Sequence, residues 1–286
     1  NTNRRPAQTG KPLYPEEIMA YPNLCEEMES ISRTVDGFSY RMDILRAKNR
    51  GENCPLFINI HGGGFIGPHR ENDTYFSAYM ADQIHGIAVD LDYTLSDAAP
   101  YPVALHQCMD ALDYVAEHAN TWGASAKDIS VGGYSAGGAL TAAMGICCAE
   151  RGGFVPKLQI LCYPPLEYRI PDQYKIDAYD RQIGMERCKA FADLYFDDKK
   201  ENFEDIHNSP LYAPREILAK QPKTLILSAG LCNFRYEDED YAICLADAGA
   251  EVILKRFPEA SHGFIPHFMD GWKEAADLMV REILEK

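Results

Sequence analysis

Gly132-Gly133-Tyr134-Ser135-Ala136-Gly137-Gly138 is the stretch on which the reading of this chain turns. Before it runs Asp128-Ile129-Ser130-Val131, a short apolar, strand-like segment. After it runs Ala139-Leu140-Thr141-Ala142-Ala143-Met144, a run of good helix formers. Gly-x-Ser-x-Gly between a strand and a helix reads as a nucleophile elbow, a turn so tight that only small residues fit two positions either side of the serine. The turn lifts the Ser135 hydroxyl above the sheet, and the next helix aims its free amides at the same spot, where they favour developing negative charge. On its own the pattern is weak, since a glycine-rich strand–helix turn can also carry it. The remaining chain therefore has to supply a base, an acid, oxyanion donors and a pocket.

Outward from the elbow, strands and helices alternate. Ile31 to Val35 and Phe38 to Leu45 read as strands about the Asp36-Gly37 turn. Pro55 to Ile60 is a continuous apolar run, as expected of a strand buried on both faces. A helix from Thr74 to Ile84 and a strand from Gly86 to Tyr93 follow. Leu105, Cys108, Leu112, Val115 and Ala119 step by three and four, which predicts an amphipathic helix over 102–120. Further strands are expected at 158–162, 224–228 and 251–257. Helices are expected at 185–196, around Tyr241 to Ala248 with a stop at Gly249, and from Trp272 to Ile283. Short helical patterns lie near Glu16 to Ala20 and Cys25 to Met28. The alternation predicts an α/β fold with a mostly parallel, doubly wound sheet flanked by helices. Its site belongs at the carboxyl ends of the strands. The stretch 166–221 breaks the alternation and would emerge at that end. With residues 1–30 it is read as a cap, so 1–286 forms a single domain.

Composition narrows the partners. The 286 residues hold 28 basic and 43 acidic side chains, a net charge of −15. Such a surface repels phosphate backbones and anionic lipid, so no nucleic-acid partner is expected. No apolar run approaches the ~20 residues of a membrane span, and the first residues hold no apolar signal segment. The nine cysteines are odd in number and form no C-x-x-C pair. Most lie in apolar runs, as small hydrophobes do. They point to a reduced, cytoplasmic setting rather than a disulfide framework. Their spacing fits no zinc site, and the reading calls for no metal or cofactor.

His61-Gly62-Gly63-Gly64-Phe65 directly follows the buried strand. Bare backbone amides in such a run can approach a substrate carbonyl, which makes Gly63 and Gly64, with Ala136 after the nucleophile, the expected oxyanion donors. His61 is expected to orient that loop. Gly62-x-Gly64-x-x-Gly67 also fits a dinucleotide fingerprint in form, but Pro68 stands where the fingerprint needs an opening helix. His262, in Ala260-Ser261-His262-Gly263-Phe264 just after the last strand, is placed to act as general base on Ser135. His106 and His118 fall on a helix; His69, His85, His207 and His267 read as solvated or structural.

Together these pieces resemble the hormone-sensitive-lipase-like branch of the α/β-hydrolase family. The matching motifs are His61-Gly-Gly-Gly-Phe65, Asp92-Tyr-Thr-Leu-Ser96 leading to Pro100-Tyr-Pro102, and Gly133-Tyr-Ser-Ala-Gly137. Tyr163-Pro164, Ser209-Pro-Leu211, Ser228-Ala-Gly230 and His262-Gly-Phe264 complete them, over roughly residues 40–265. The resemblance implies a Ser-His-acid carboxylesterase with a helical cap. In one place the chain departs from it. The family's acid belongs to a pattern like Ala-x-x-Asp-x-Leu-Arg-Asp-Glu, and here Ala229 to Glu237 puts Cys232 in the acid slot, 30 residues before His262 (262 − 232). A neutral thiol is a weak acceptor. Either the acid has moved, with Glu167 as first candidate and Glu237 or Asp238 behind it, or a Ser-His dyad works with Cys232, Asn233 or water. A third reading is a site that has become a binding pocket.

The expected function is a serine hydrolase acting on small, short-chain acyl esters through an acyl-enzyme, with Ser135 as nucleophile and His262 as base. The alternatives are a ligand-binding receptor or pseudoenzyme on the same fold, and an acetyl-sugar esterase. Tyr168, Tyr174, Tyr179, Tyr195 and Tyr212 in the cap would suit the latter, although tyrosine also simply packs. The partner is a small-molecule ester, and a homodimer stays open.

Overall fold

The computed structural model describes residues 14–170, 183, 185–197 and 199–285. Among them eight strands form one sheet: β1 Glu29–Val35, β2 Phe38–Arg46, β3 Cys54–Ile60, β4 Ile87–Asp92, β5 Ala124–Tyr134, β6 Leu158–Cys162, β7 Lys223–Ala229 and β8 Val252–Phe257. The helices are α1 Glu16–Ala20, α2 Glu71–Gln83, α3 Val103–His118, α4 Ala136–Arg151, α5 Met185–Phe196, α6 Lys200–Glu204, α7 Arg215–Leu218, α8 Arg235–Ala248 and α9 Trp272–Leu284. The strand order is β1-β2-β4-β3-β5-β6-β7-β8. β1 and β2 pair antiparallel with each other, and β2 pairs antiparallel with β4. All later pairs are parallel.

Side chains alternate across β3 because successive Cβ atoms point to opposite faces. Leu56, Ile58 and Ile60 enter one core, with Leu105, Leu112 and Val115 of α3 and Leu140 and Met144 of α4. Phe57 points the other way, into a second core with Phe76 and Met80 of α2 and Met279 and Ile283 of α9. Tyr241 and Leu245 of α8 pack with Leu161, Ile226 and Ile146 on the α4 side. A strand covered on both faces cannot alternate apolar with polar, so β3 reads as an unbroken apolar run.

The topology fixes where a site can form. After β3 the chain goes to β4 on one side, and after β4 it crosses back to β5 on the other. The carboxyl ends of β3 and β5 therefore face a common crevice, with the loops after β6, β7 and β8 along the same edge. The Cys25 to Met28 segment is not helical. A 3-10 turn at Tyr21–Leu24 precedes it, and Cys25 instead bridges Ala47 of the sheet edge. Pro22 favours the tight turn, and the apolar Cys25 is buried against Leu45 and Ala78. The insertion after β6 folds into α5, α6 and α7, and the latter two gave no periodic signal because they are only a turn long. Tyr174 and Tyr179 lie outside the described residues.

Candidate active site

Ser135 sits between β5 and α4 with φ 53° and ψ −118°. A non-glycine residue held there stores about 1–3 kcal/mol of strain. Its neighbours explain how the turn closes. A Cβ on Gly133 would lie 2.3 Å from Gly137 backbone atoms, and one on Gly137 would lie 2.1 Å from the Ile60 carbonyl oxygen. The Ser135 amide donates to the Cys162 carbonyl at 2.9 Å, and its carbonyl accepts from Ala139 at 3.0 Å. The elbow is thus tied to both β6 and α4.

His262 lies in the loop after β8 and is half-buried, with Tyr163 and Phe234 packed edge-to-face against its ring. Its Nε2 is 2.8 Å from Ser135 Oγ. Its Nδ1 is 3.0 Å from Cys232 Sγ. The loop carrying Cys232 is clamped to the loop carrying His262. Gly230 donates to Phe257 O at 2.8 Å and Leu231 to Ala260 O at 3.1 Å. A Cβ on Gly230 would meet Pro258 O at 2.1 Å, which explains the glycine. Cys232 Sγ also accepts from the Phe234 amide at 3.4 Å. Burial, reinforced by the Asp238 carboxylate, pushes the Cys232 thiol well above its ordinary value, so it is neutral. Burial, with the charges of His267 and Arg187, pulls His262 down to about 3. The imidazole is therefore neutral over the whole ordinary pH range.

Two of the alternative acids accept hydrogen bonds from backbone amides. The Glu167 carboxylate accepts from the amides of Arg169 and of Ile170, the latter at 2.9 Å. Glu237, in the first turn of α8, accepts from the amides of Leu166 and Glu167 at 2.7 and 3.0 Å. It thereby anchors the start of the insertion. Asp238 is fully buried.

The glycine loop after β3 turns back on itself. Gly67 donates to Gly63 O at 2.8 Å, and Gly63 and Gly64 adopt φ +125° and +63°. α2 begins only at Glu71, so the dinucleotide reading fails: no helix opens where a pyrophosphate would need one. Gly64 lies so close to Phe191 of α5 that a Cβ would sit 2.3 Å from the ring. His61 is buried and stacked on Tyr93 at 4.3 Å, with Nδ1 2.7 Å from its neighbour's Gly62 carbonyl. Burial lowers it to about 4, so it supports the loop as a neutral ring.

Two cavities meet at Ser135. One, about 270 Å³, is lined by Gly62 to Gly64, Ser135 and His262, and by Arg70, Asp73, Arg187 and His267. The other, about 50 Å³, is lined by Ala136, Pro165, Ile183, Cys188, Phe191 and Phe234, with no charged side chain. No motif marks Arg70, Asp73 or Arg187; the start of α2 brings the first two to the cavity and α5 brings the third. Tyr195 stacks on Phe65 at 3.7 Å, and Tyr168 meets Phe196 edge-on while lining the small cavity.

The chain resembles known proteins in sequence and fold. A model of the α/β-hydrolase fold matches residues 57–266, and the chain belongs to that family. Esterase LipI of Mycobacterium tuberculosis is 30% identical over 217 residues, covering 74% of this chain and 66% of that protein. Carboxylic ester hydrolase LipN of the same organism is 31% identical over 243 residues, covering 79% and 61%. The match thus spans a little under two thirds of these relatives' length. The crystal structure of an esterase from Pyrobaculum calidifontis superposes with a TM-score of 0.82 at 26% identity, covering 93% of this chain and 88% of that one. Bovine hormone-sensitive lipase is 29% identical over 120 residues, covering 42% of this chain and 16% of that protein. Among the described residues no helix is long and apolar enough to cross a membrane.

Proposed function

We propose that the chain is a serine carboxylesterase hydrolysing short-chain acyl esters through an acyl-enzyme, with Cys232 in the place of the usual acid. The observation that carries this reading is the unbroken line Cys232 Sγ–His262–Ser135 Oγ, at 3.0 and 2.8 Å, beneath the glycine loop. The relatives named as esterases support it.

In this mechanism the Ser135 hydroxyl donates to His262 Nε2, and His262 takes the proton as Oγ attacks the ester carbonyl. The Gly63, Gly64 and Ala136 amides stabilise the oxyanion. His262 then gives its proton to the leaving alcohol. Water, activated by the same imidazole, hydrolyses the acyl-enzyme. Nδ1–H donates to Cys232, which fixes the tautomer. A neutral thiol does not balance the charge of the imidazolium as a carboxylate would, so proton abstraction is slower than in a complete triad. Glu167, turned onto its own loop's amides, and Glu237, holding the insertion, are positioned for structure. Of the tyrosines expected for an acetyl-sugar esterase, Tyr195 packs on Phe65 and Tyr168 packs on Phe196 at the rim of the small cavity, and neither specifically favours that reading.

The test is release of p-nitrophenolate from p-nitrophenyl acetate, with Ser135→Ala as control. A burst and steady turnover that vanish in the variant are expected. Absence of Ser135-dependent release at every pH from 5 to 10 would leave a binding pocket on the same fold, which the neutral Cys232 thiol favours as the second reading.

A further inference from the structure

The two cavities at Ser135 are chemically unlike, and His262 tells which part of an ester enters each. The leaving oxygen must face the imidazole that protonates it. His262 lines the larger cavity and not the smaller one. The alcohol portion therefore belongs in the larger cavity, and the acyl chain in the small apolar one beside Ala136. Resting on the esterase reading, we propose that the alcohol portion of the substrate is anionic, carrying a carboxylate or a phosphate held by Arg70 and Arg187.

The charge distribution argues for it. Carboxylates outnumber cations in this chain by 43 to 28, and several arginines elsewhere are paired with them. Arg33 meets Asp110, Arg46 meets Glu29, Arg50 meets Glu26 and Arg151 meets Asp113, all within 2.8 Å. Among the described residues, no ion pair engages Arg70 or Arg187, although both line the cavity. Arg70 stands just before α2, and Arg187 in the first turn of α5, with its guanidinium 5.1 Å from the Phe191 ring centroid. Two elements far apart in sequence thus bring two permanent cations to one cavity. A guanidinium cannot shed its charge and presents a planar fork suited to carboxylate or phosphate. Their field already registers inside: Arg187 acts on His262 and Arg70 on His267, each adding to burial in disfavouring the imidazolium. The one carboxylate in that cavity's described lining, Asp73, accepts the Arg70 amide at 2.9 Å. Burial and the neighbouring Asp90 raise it to about 7, so it offsets only part of the positive charge. The small cavity holds no counterpart to these cations.

The experiment compares 4-acetoxybenzoate, 4-acetoxyphenyl phosphate and the neutral methyl 4-acetoxybenzoate, each kcat/KM divided by the spontaneous hydrolysis rate. The expected anion-to-neutral ratio exceeds tenfold at low salt. It falls at least tenfold in Arg70→Gln/Arg187→Gln and is partly kept in Arg187→Lys. The faster of the two anionic esters identifies the group. A ratio of one or below, or a ratio unmoved in the double variant, overturns the proposal while p-nitrophenyl acetate turnover still upholds the esterase. Should turnover be absent altogether, calorimetric binding of 4-hydroxybenzoate decides: a tenfold weaker Kd in the double variant is expected, and equal or undetectable binding by both proteins overturns it.

Discussion

Cys232 Sγ stands 3.0 Å from His262 Nδ1, in the position from which a carboxylate would face the imidazole of a catalytic triad. The geometry of a third member is present while its charge is absent. Replacing the triad carboxylate by a neutral isostere costs about 10⁴ in turnover in the serine-protease template, so restoring a charge here should recover part of that factor. Cys232→Asp is expected to raise kcat on p-nitrophenyl acetate on the order of 10²-fold. Cys232→Ala should lower it only a few-fold. An unchanged or lower kcat in a folded Cys232→Asp protein would mean that some other group already fills the role.

Desolvation of the His262 ring, with the charges of His267 and Arg187, sets the pH profile. His262, held down to about 3, must be neutral to act as base. Activity is fully present above that value and lost as pH falls through it, so the acid limb of kcat/KM in the wild type lies near pH 3–4, or at the edge of acid stability. A carboxylate at position 232 favours the imidazolium and moves the limb upward, toward the ordinary histidine range. A wild-type limb between pH 6 and 7, the ordinary histidine range, would show that the ring is not held down in the folded protein.

Glu167 and Glu237 are separated by one comparison. Glu237 accepts two buried amides, from Leu166 and Glu167, at the root of the insertion. Leaving those donors unsatisfied costs about 1–3 kcal/mol. Glu237→Leu is expected to lower stability by that amount and to raise KM more than it lowers kcat, since the displaced insertion lines the pocket. Glu167→Gln keeps an acceptor for its own loop and should leave kcat within about threefold. Loss of activity in Glu167→Gln with unchanged stability would make Glu167 the migrated acid.

Much of this was legible from the chain, for identifiable reasons. The elbow announces itself because Gly133 and Gly137 are forced by backbone contacts in their immediate surroundings. β3 and α3 follow from burial patterns of a few adjacent residues. His262 and the Cys232 slot lie at fixed offsets from β8 and β7, and Gly230 records the contact between their loops. Elements set by distant contacts were not legible. Arg187 reaches the pocket only because α5 packs over Gly64, and the segment from Cys25 is drawn to the sheet edge by Ala47 rather than by its own propensity. Glu167 was a reasonable candidate by proximity in sequence, but only the folded loop shows its carboxylate turned back onto Arg169 and Ile170.

Gly64 lets α5 pack against the glycine loop after β3. Its φ of +63° is in the left-handed region, and an added Cβ would meet the Phe191 ring at 2.3 Å. Phe191 is an end-of-chain ring that can yield, unlike the backbone that Gly137 faces. Gly64→Ala should therefore fold, with kcat/KM down by about 10–10²-fold as the oxyanion amides shift. Gly137→Ala should fail to accumulate as folded protein. Full activity in Gly64→Ala would remove that loop from the site.

Asp238 offers a test of stability rather than turnover. It is fully buried in α8, neither carboxylate oxygen completes a hydrogen bond, and Ser228 favours the ionised form only in part. Burial first, then the Glu237 charge, raises its folded value well above that of a free carboxyl. A raised value means that the folded state holds the proton more tightly than the unfolded one. The contribution is fully present below pH ~4, the unfolded value, and is lost as pH rises toward the folded one. Each pH unit crossed in that window costs about 1.4 kcal/mol. Asp238→Asn keeps the shape and never ionises, so it escapes the loss. The Tm of Asp238→Asn should match the wild type near pH 4 and exceed it at pH 8, by about 2 °C or more for each kcal/mol gained. Equal Tm differences at the two pH values, measured by differential scanning calorimetry, would show that Asp238 ionises in the folded protein as freely as in the unfolded chain.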